Sequence, residues 1–450
     1  MKRALIVGSG KSGKGATKLL KKLGYMIYVT DDKQRNLKGV YGDGFLRSLS
    51  LIVLSPGIPP NHRILEIAKT YGIDHLCEFE LGVLELSCPC VMITGTNGKT
   101  TTTLLVHKLL ENSGFGVVHL GGNVGIPVSS FAKETAPQDI AILEASSFQL
   151  EYKKRSSPHV AVLLNLAPDH ISWHGSMESY VRAKLKIFEG QTNDDFAVLN
   201  ADDELVMRLA KNLQANVYYF STKSRVKGCF AESGCIYFSD GISTSKVANT
   251  SDLKILGEHN LQNALAGVLV SILLGQDFEK IRKNLAEFVG VSHRLEWIKD
   301  VDGVSFFNDS KATNPHSTIT AMNSMQTDTT IILGGSDKGN EFDEIFLKAP
   351  DKIKNFVCLG ETKPKLLESA KRCKATNVFE ADTMKQAVHL AFNLSKNGDA
   401  VLLSPACASF DMFSSYEERG KVFTKIVRGL EKHEDKLKRK TAFKAKNKST

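Results

Sequence analysis

The run Gly95-Thr96-Asn97-Gly98-Lys99-Thr100-Thr101 follows the apolar stretch Val91–Thr94 and opens a helical pattern at Thr102. A strand running into a glycine-rich loop and then a helix gathers backbone N–H groups and the positive helix end around phosphate oxygens. Lys99 then reaches the β- and γ-phosphates, and Thr100 offers its hydroxyl to Mg²⁺. The usual phosphate loop begins with a glycine five residues before the second, where this chain has Ile93, so the loop is a shortened variant. This is the chemistry of an ATP-using enzyme. An incidental lysine in a glycine turn is the competing reading, and the strand–loop–helix context weighs against it.

Two further polar groups stand just past apolar runs of the same region: Glu144 after Ile140–Leu143, and His170 after Val160–Asn165. Groups at the carboxyl ends of parallel strands converge on the crevice where ligands bind. With Thr100 they make a candidate Mg²⁺ site, since phosphoryl transfer needs cations on the developing charge. Alone, either residue reads as an ordinary strand-end polar group.

Near the N-terminus, Gly8-Ser-Gly10-Lys-Ser-Gly13 follows a strand pattern, with Asp31 and Asp32 about 20 residues on, as in dinucleotide folds. The glycines specify a phosphate-bearing group at a helix N-terminus, and any nucleotide diphosphate satisfies them. Three polar runs near the C-terminus also follow strand patterns: Asn308–Asn314, Gly334–Gly339 and Ser404–Asp411. Such runs are commonly plain turns. Three at corresponding strand ends point to one surface, basic through Lys311 and Lys338, suited to a small carboxylate.

The elements that must hold these groups alternate between short β-branched runs and helical patterns, the mark of α/β folds with parallel sheets. Strands are expected at Ala4–Val7, Met26–Thr30 and Leu51–Leu54; then at Val91–Thr94, Ile140–Leu143, Val160–Asn165 and Ala197–Asn200; then at Val304–Phe307, Thr330–Leu333, Phe356–Leu359 and Ala400–Leu403. Val226–Leu256 reads as antiparallel hairpins, followed by a helix over Asn260–Leu274. Three domains follow: a Rossmann-like domain over 1–77, a central P-loop ATPase-type domain with a mostly parallel sheet over 78–290, and a second Rossmann-like domain over 291–430. A basic tail, expected to be disordered, occupies 431–450.

The 450 residues suit several domains, and 42% hydrophobic against 24% charged residues supplies ample core. Of the net charge of +9, the seven Lys/Arg of Lys436–Thr450 account for all but +2. A nucleic-acid binder is therefore not indicated beyond weak nonspecific contact through the tail. The eight cysteines fit no zinc spacing and read as reduced thiols. Lys2 and Arg3 precede only a four-residue apolar run, and no later run approaches the ~20 residues of a membrane helix, so a cytoplasmic location without membrane insertion is expected.

In this order the motifs resemble the Mur ligase family over roughly residues 3–430. The phosphate loop is shared with folylpolyglutamate synthases. The runs Glu144-Ala-Ser-Ser-Phe-Gln-Leu-Glu151, Asn308-Asp-Ser-Lys-Ala-Thr-Asn314 and Ser404-Pro-Ala-Cys-Ala-Ser409 look like the D-glutamate-adding branch, and the Asp-Asn-Pro-Arg run of diaminopimelate-adding relatives is absent.

The resemblance implies that a uridine diphosphate group is held by Lys11, Ser12, Asp31, Asp32, Ser55 and Gly57, against an NAD reading. Where some members show Thr-Arg at the uracil-binding turn, this chain has Asp32-Lys33. Asn123 and His170 would meet the UDP-sugar substrate or its metal. Lys184, by itself one basic residue on a solvated helix face, matches the lysine that the family carbamylates to bridge Mg²⁺. The metal set implied for two ions is Thr100, Glu144, His170 and carbamylated Lys184. Besides the loop residues Gly95 to Thr101, ATP would meet Asn260, Asn263, Arg294 and Asp309. D-Glutamate would meet Lys311, Thr313, Lys338, Ser409, Phe410 and Tyr416, and Lys99, Glu144, His170, Lys184 and Arg294 would be catalytic.

The implied activity is a monomeric ligase that phosphorylates the carboxylate of UDP-N-acetylmuramoyl-L-alanine and couples it to D-glutamate, with closure of the third domain excluding water. Addition of another amino acid, folate polyglutamylation, or a P-loop regulator that hydrolyses ATP without an acceptor are the alternatives. The identity of the acceptor separates them.

Overall fold

The computed structural model describes residues 2–31, 42–209, 213–255, 257–337 and 339–430. Asp32, Lys33, Lys338 and the Lys-rich tail lie outside them. The chain divides into two compact units, one of residues 1–253 with 259–288, the other of 254–258 with 289–450. The architecture is three-domain α/β, with two of its three sheets in the first unit.

The N-terminal sheet holds β1 (Arg3–Val7), β2 (Met26–Thr30), β3 (Leu51–Leu54) and β4 (Asp74–Cys77), all parallel in the order β2-β1-β3-β4. Helix α1 (Lys11–Lys22) buries Ala16, Leu19 and Leu20 on it and ends in Lys21 and Lys22, which suit the negative end of the helix dipole.

The central sheet has nine strands: β5 (Cys90–Thr94), β6 (Val118–Gly122), β7 (Ile140–Glu144), β8 (Val160–Leu163), β9 (Phe196–Asn200), β10 (Asn216–Ser221), β11 (Gly228–Glu232), β12 (Cys235–Ser239) and β13 (Thr244–Asn249). Their order is β13-β12-β11-β10-β9-β8-β5-β7-β6. Strands β5, β7 and β8 are buried along their whole length, as apolar parallel strands covered on both faces must be. Antiparallel pairing is confined to β11-β12 and β12-β13. The expected hairpins are there, and β10, which the sequence patterns pass over, joins β11 in parallel. Helix α2 (Lys99–Leu109) follows β5, and α3 (Met177–Leu185) and α4 (Glu258–Leu273) pack in the same unit.

The second unit carries β14 (Glu296–Val301), β15 (Val304–Asn308), β16 (Thr329–Gly334), β17 (Ile353–Leu359), β18 (Val378–Glu380) and β19 (Ala400–Leu403), ordered β14-β15-β19-β16-β17-β18. Among the described strands of this sheet only β14 is antiparallel, paired through a tight hairpin with β15. The sequence patterns pass over β14 and β18 because they are edge strands, half polar or three residues long. Helix α5 (Tyr416–Arg428) closes the described chain.

Candidate active site

Strand β5 lies between β7 on one side and β8 on the other, so the chain order reverses there and a crevice opens at the strand ends. The phosphate loop leaves β5, Glu144 ends β7 opposite Ile93, and the segment Asn165–His170 leaves β8. Three adjacent strands thus deliver the loop, a carboxylate and an imidazole to one edge.

Gly98 has φ +84° and begins α2, and a Cβ there would stand 2.2 Å from Asn263 Oδ1. Asn263, buried on α4, also accepts from Thr102 Oγ1 at 3.3 Å and donates to Asn260 Oδ1 at 3.2 Å. The phosphate loop is therefore in contact with Asn263 and, through it, linked to Asn260, the other asparagine assigned to ATP. Asn97 and Asn165 exchange hydrogen bonds at 2.8 and 3.1 Å and tie the loop to the end of β8. Thr96 Oγ1 sits 2.9 Å from Tyr180 Oη and accepts from the N–H of Ala167. Lys99 Nζ lies across the loop, donating to Gly95 O at 2.9 Å and Thr96 O at 2.8 Å.

Lys184 is not on a solvated face. It is 1% exposed, with its amine 2.7 Å from Gly95 O, 3.4 Å from Thr94 Oγ1 and 4.8 Å from the centre of the Tyr180 ring. Burial, and then the neighbouring charge of Lys99, hold its pKa well below the usual lysine range. The short helix α3 turns this lysine inward, towards the back of the loop.

Glu144 is 1% exposed. Its Oε1 accepts from Asn123 Nδ2 at 2.6 Å and its backbone carbonyl accepts from Asn123 N at 2.9 Å, while Oε2 has no hydrogen-bond partner among the described residues. A buried carboxylate oxygen without a partner is costly unless a cation or donor reaches it. With the Thr100 hydroxyl at the loop, it is a donor set that fits Mg²⁺. His170 stands at the start of a short helix with φ +52° and packs its ring 4.7 Å from that of Phe148. Asp169 Oδ2 is 3.4 Å from His170 Nε2. No three His, Cys, Asp or Glu side chains gather as a metal cluster among the described residues. The expected metal set has only Glu144 and His170 of those types.

In the N-terminal sheet, Lys11 is exposed at the start of α1, and Asp31 accepts from Ser9 Oγ at 2.6 Å. Ser12 is half-buried, and Ser55 and Gly57 lie in the turn after β3.

In the second unit, the polar runs after β15, β16 and β19 come from three neighbouring strands. Ser336 and Ala408 form a bridge, and Phe410 N donates to Ser336 Oγ at 3.2 Å. Lys311 Nζ is 6.0 Å from the centre of the Tyr416 ring, Ser409 is buried, Thr313 is half-buried and Phe410 is largely exposed. Asp309 accepts from Ser404 Oγ at 2.7 Å and from the N–H of Leu295, next to Arg294. Its burial lifts the carboxyl to about 7.

Sequence reasoning passed over Arg419, which organises this surface. Fully buried, it donates to Ser310 Oγ and O, Cys407 O and Ala408 O at 2.8–3.0 Å. No local pattern marks it, since it looks like any charged residue of an amphipathic helix. Asp169 and Asn165 were also passed over, although their place after β8 is the signal that exposed His170.

Residues 93–271 match the Mur ligase middle domain and residues 293–407 the glutamate ligase domain of Mur ligases. The chain is 38% identical over 448 residues to the UDP-N-acetylmuramoylalanine–D-glutamate ligase of Caldanaerobacter subterraneus, covering 95% of this chain and 98% of that protein. The chain belongs to the Mur ligase family. A D-glutamate ligase of the same name from Koribacter versatilis is 39% identical over 452 residues, with 97% and 99% of the two chains covered. Among solved structures, the pseudomurein peptide ligase type C of Methanothermus fervidus shares the fold of this Mur ligase at TM-score 0.58 and 18% identity, covering 96% of this chain and all of the other. The UDP-N-acetylmuramate-alanine ligase of Thermotoga maritima does so at TM-score 0.58 and 18% identity, with 95% and 99% covered. No helix among the described residues is long and apolar enough to cross a membrane.

Proposed function

We infer that this Mur ligase joins D-glutamate to UDP-N-acetylmuramoyl-L-alanine at the expense of ATP, as a cytoplasmic, monomeric enzyme of peptidoglycan precursor synthesis. The reading is supported by relatives of that printed name aligned over about the whole chain. The structural observation that carries it is the edge formed by β8, β5 and β7, where a phosphate loop faces a buried carboxylate with one oxygen unpartnered.

The substrate carboxylate attacks the γ-phosphate of ATP, its oxygen gains the phosphoryl group, and ADP leaves. A carboxylate cannot expel oxide, whereas the acyl phosphate so formed releases phosphate readily. The amine of D-glutamate adds to the carbonyl, loses a proton, and the tetrahedral intermediate expels phosphate to leave an amide. Lys99 and the loop N–H groups offset the charge that gathers when two anions meet. Thr100, Glu144, His170 and Lys184 would hold Mg²⁺, which supplies charge neutralisation and orientation of the phosphates.

Lys184 as a carbamate belongs to this proposal. Its buried amine beside the loop is supported as a site for CO₂ addition because a carboxylate there completes a donor set that Glu144 and His170 leave short. The proposal assigns Lys11, Ser12, Asp31, Ser55 and Gly57 to the UDP group, Asn123 to the substrate near Glu144, and Asn260 and Asn263 with the loop to ATP. Arg294 and Asp309 of the second unit are assigned to ATP, and Lys311, Thr313, Ser409, Phe410 and Tyr416 to D-glutamate.

The test is phosphate release from ATP and Mg²⁺ with UDP-N-acetylmuramoyl-L-alanine, with and without D-glutamate, and the product mass. Release that needs both substrates, with a gain of one glutamyl unit, is expected. Release indifferent to D-glutamate, or greater with L-alanine, L-lysine or diaminopimelate, overturns the assignment.

A further inference from the structure

Two loops of the N-terminal sheet are assigned to the UDP group: the turn from β1 into α1, with Lys11 and Ser12, and the turn after β3, with Ser55 and Gly57. They lean on each other. Gly8, at φ +109°, would place a Cβ 2.2 Å from Ser55 Oγ, so no other residue lets the two turns meet this closely.

Each turn is also held from behind by one buried side chain that the reaction does not use. Glu78 is 2% exposed in the helix Glu78–Leu84. Its Oε1 accepts from Ser129 N at 2.9 Å and Ser129 Oγ at 2.5 Å, and Ser129 packs on α1 one turn past Ser12, where a Cβ on Gly15 would stand 2.6 Å from Ser129 Oγ. Tyr152 is 5% exposed and donates its phenol to the carbonyl of Ile58 at 2.6 Å, next to Gly57. Burial pushes the phenol pKa up, so the proton stays in place to be donated.

The other ends of these contacts lead to the chemistry. Ser129 follows within a few residues of Asn123, whose amide holds Glu144. Tyr152 caps the helix Ser147–Glu151, which begins three residues after Glu144. Glu78, through Ser129 packed on α1, and Tyr152, through the carbonyl of Ile58, therefore set the positions of the two turns relative to the carboxylate at the end of β7.

We propose that Glu78 and Tyr152 are positioning residues for the UDP-bearing substrate, holding the two N-terminal turns in register with Glu144 without touching the substrate. The proposal rests on the assignment of those turns to the UDP group. It requires that loss of either contact weaken the grip on that substrate while the phosphate loop, with its own partners Asn165 and Asn263, is untouched.

The experiment compares the full chain with Tyr152→Phe and Glu78→Gln. Tyr152→Phe removes one hydroxyl and keeps the ring packed, and so stays informative if Glu78→Gln folds poorly. Since a hydrogen bond of this kind is worth about a three- to tenfold factor, KM for UDP-N-acetylmuramoyl-L-alanine should rise by about that much in each variant, with KM for ATP and kcat within about twofold of the parent. A contact that is merely structural would lower the melting temperature and shift all the constants together, and that result overturns the proposal. So does an unchanged KM for the UDP substrate in folded Tyr152→Phe.

Titration of UDP alone against the parent and Lys11→Ala separates failure of the underlying assignment. If Lys11→Ala binds UDP as the parent does, the turns are not the UDP site and both readings fall. If Lys11→Ala binds weakly but Tyr152→Phe and Glu78→Gln do not, only the positioning role falls.

Discussion

Lys99 and Lys184 place their amines on one acceptor, the carbonyl of Gly95, at 2.9 and 2.7 Å. Lys99 reaches it from the open side of the loop and Lys184 from the buried side. Burial of Lys184, which is 1% exposed, and then repulsion from the Lys99 charge disfavour its ammonium form. Conversion of Lys184 to a carbamate would replace that repulsion with attraction and put a carboxylate near the edge where Glu144 has an oxygen to share.

Lys184→Ala is accordingly expected to lower kcat by about 100-fold or more, as for loss of a group that organises the metal and the transferred phosphoryl. Added formate or acetate should restore part of the rate by entering the space the side chain leaves. A variant with parent-like activity, or one that gains nothing from any small carboxylate, would remove the carbamate from the scheme.

For Lys99→Ala the expected loss is about 10²–10³-fold in kcat, because its charge acts on the phosphates. Binding of the UDP substrate should persist, since Lys99 lies across the phosphate loop on Gly95 O and Thr96 O, after β5 of the central sheet, whereas the UDP group is assigned to turns of the N-terminal sheet. Isothermal titration with that substrate beside an ATP turnover assay gives both numbers, and a fully active variant would sink the phosphate-loop assignment.

His174 predicts a pH dependence of stability. It stands buried against Ser147 Oγ at 3.0 Å and between the rings of Phe148 and Tyr180. Burial, and then the charges of His170 and Lys184, lower its pKa from 6.5 to about 4. Between those values the unfolded chain binds more protons than the folded one, so this contribution is full above about pH 6.5 and is lost as pH falls through about 4. Melting temperatures from pH 7 to 4 should fall less steeply in His174→Gln, which keeps a polar partner for Ser147 and has nothing to protonate. Identical slopes would refute it.

Arg419→Met should destabilise the second unit by about 3–5 kcal/mol, since it leaves the carbonyls of Ser310, Cys407 and Ala408 buried without their donor. Urea unfolding measures the loss, and a change below about 1 kcal/mol would mean that those carbonyls find other partners.

How legible each group was follows from the range of the physics behind it. The phosphate loop is a local object: Gly95 and Gly98 at positive φ and the first N–H groups of α2 lie within a few consecutive residues. Glu144 and His170 were legible for a related reason, because each follows an apolar run of strand length. Lys184 and Arg419 were not. Each sits on a helix whose pattern is that of a surface element, and burial there depends on what another part of the chain places over it.

The sequence alone determined the α/β class, the nucleotide loop and the family resemblance, because strand and helix periods and turn-forming glycines act over neighbouring residues. Tertiary structure decided that β5 runs between β7 and β8, and with it that Glu144, Asn165 and the loop share one edge. It also decided that Lys184 meets the carbonyl of Gly95 and that one oxygen of Glu144 goes unpartnered. Those relations join residues tens of positions apart, where desolvation and charge act through space and leave no periodic trace in the chain.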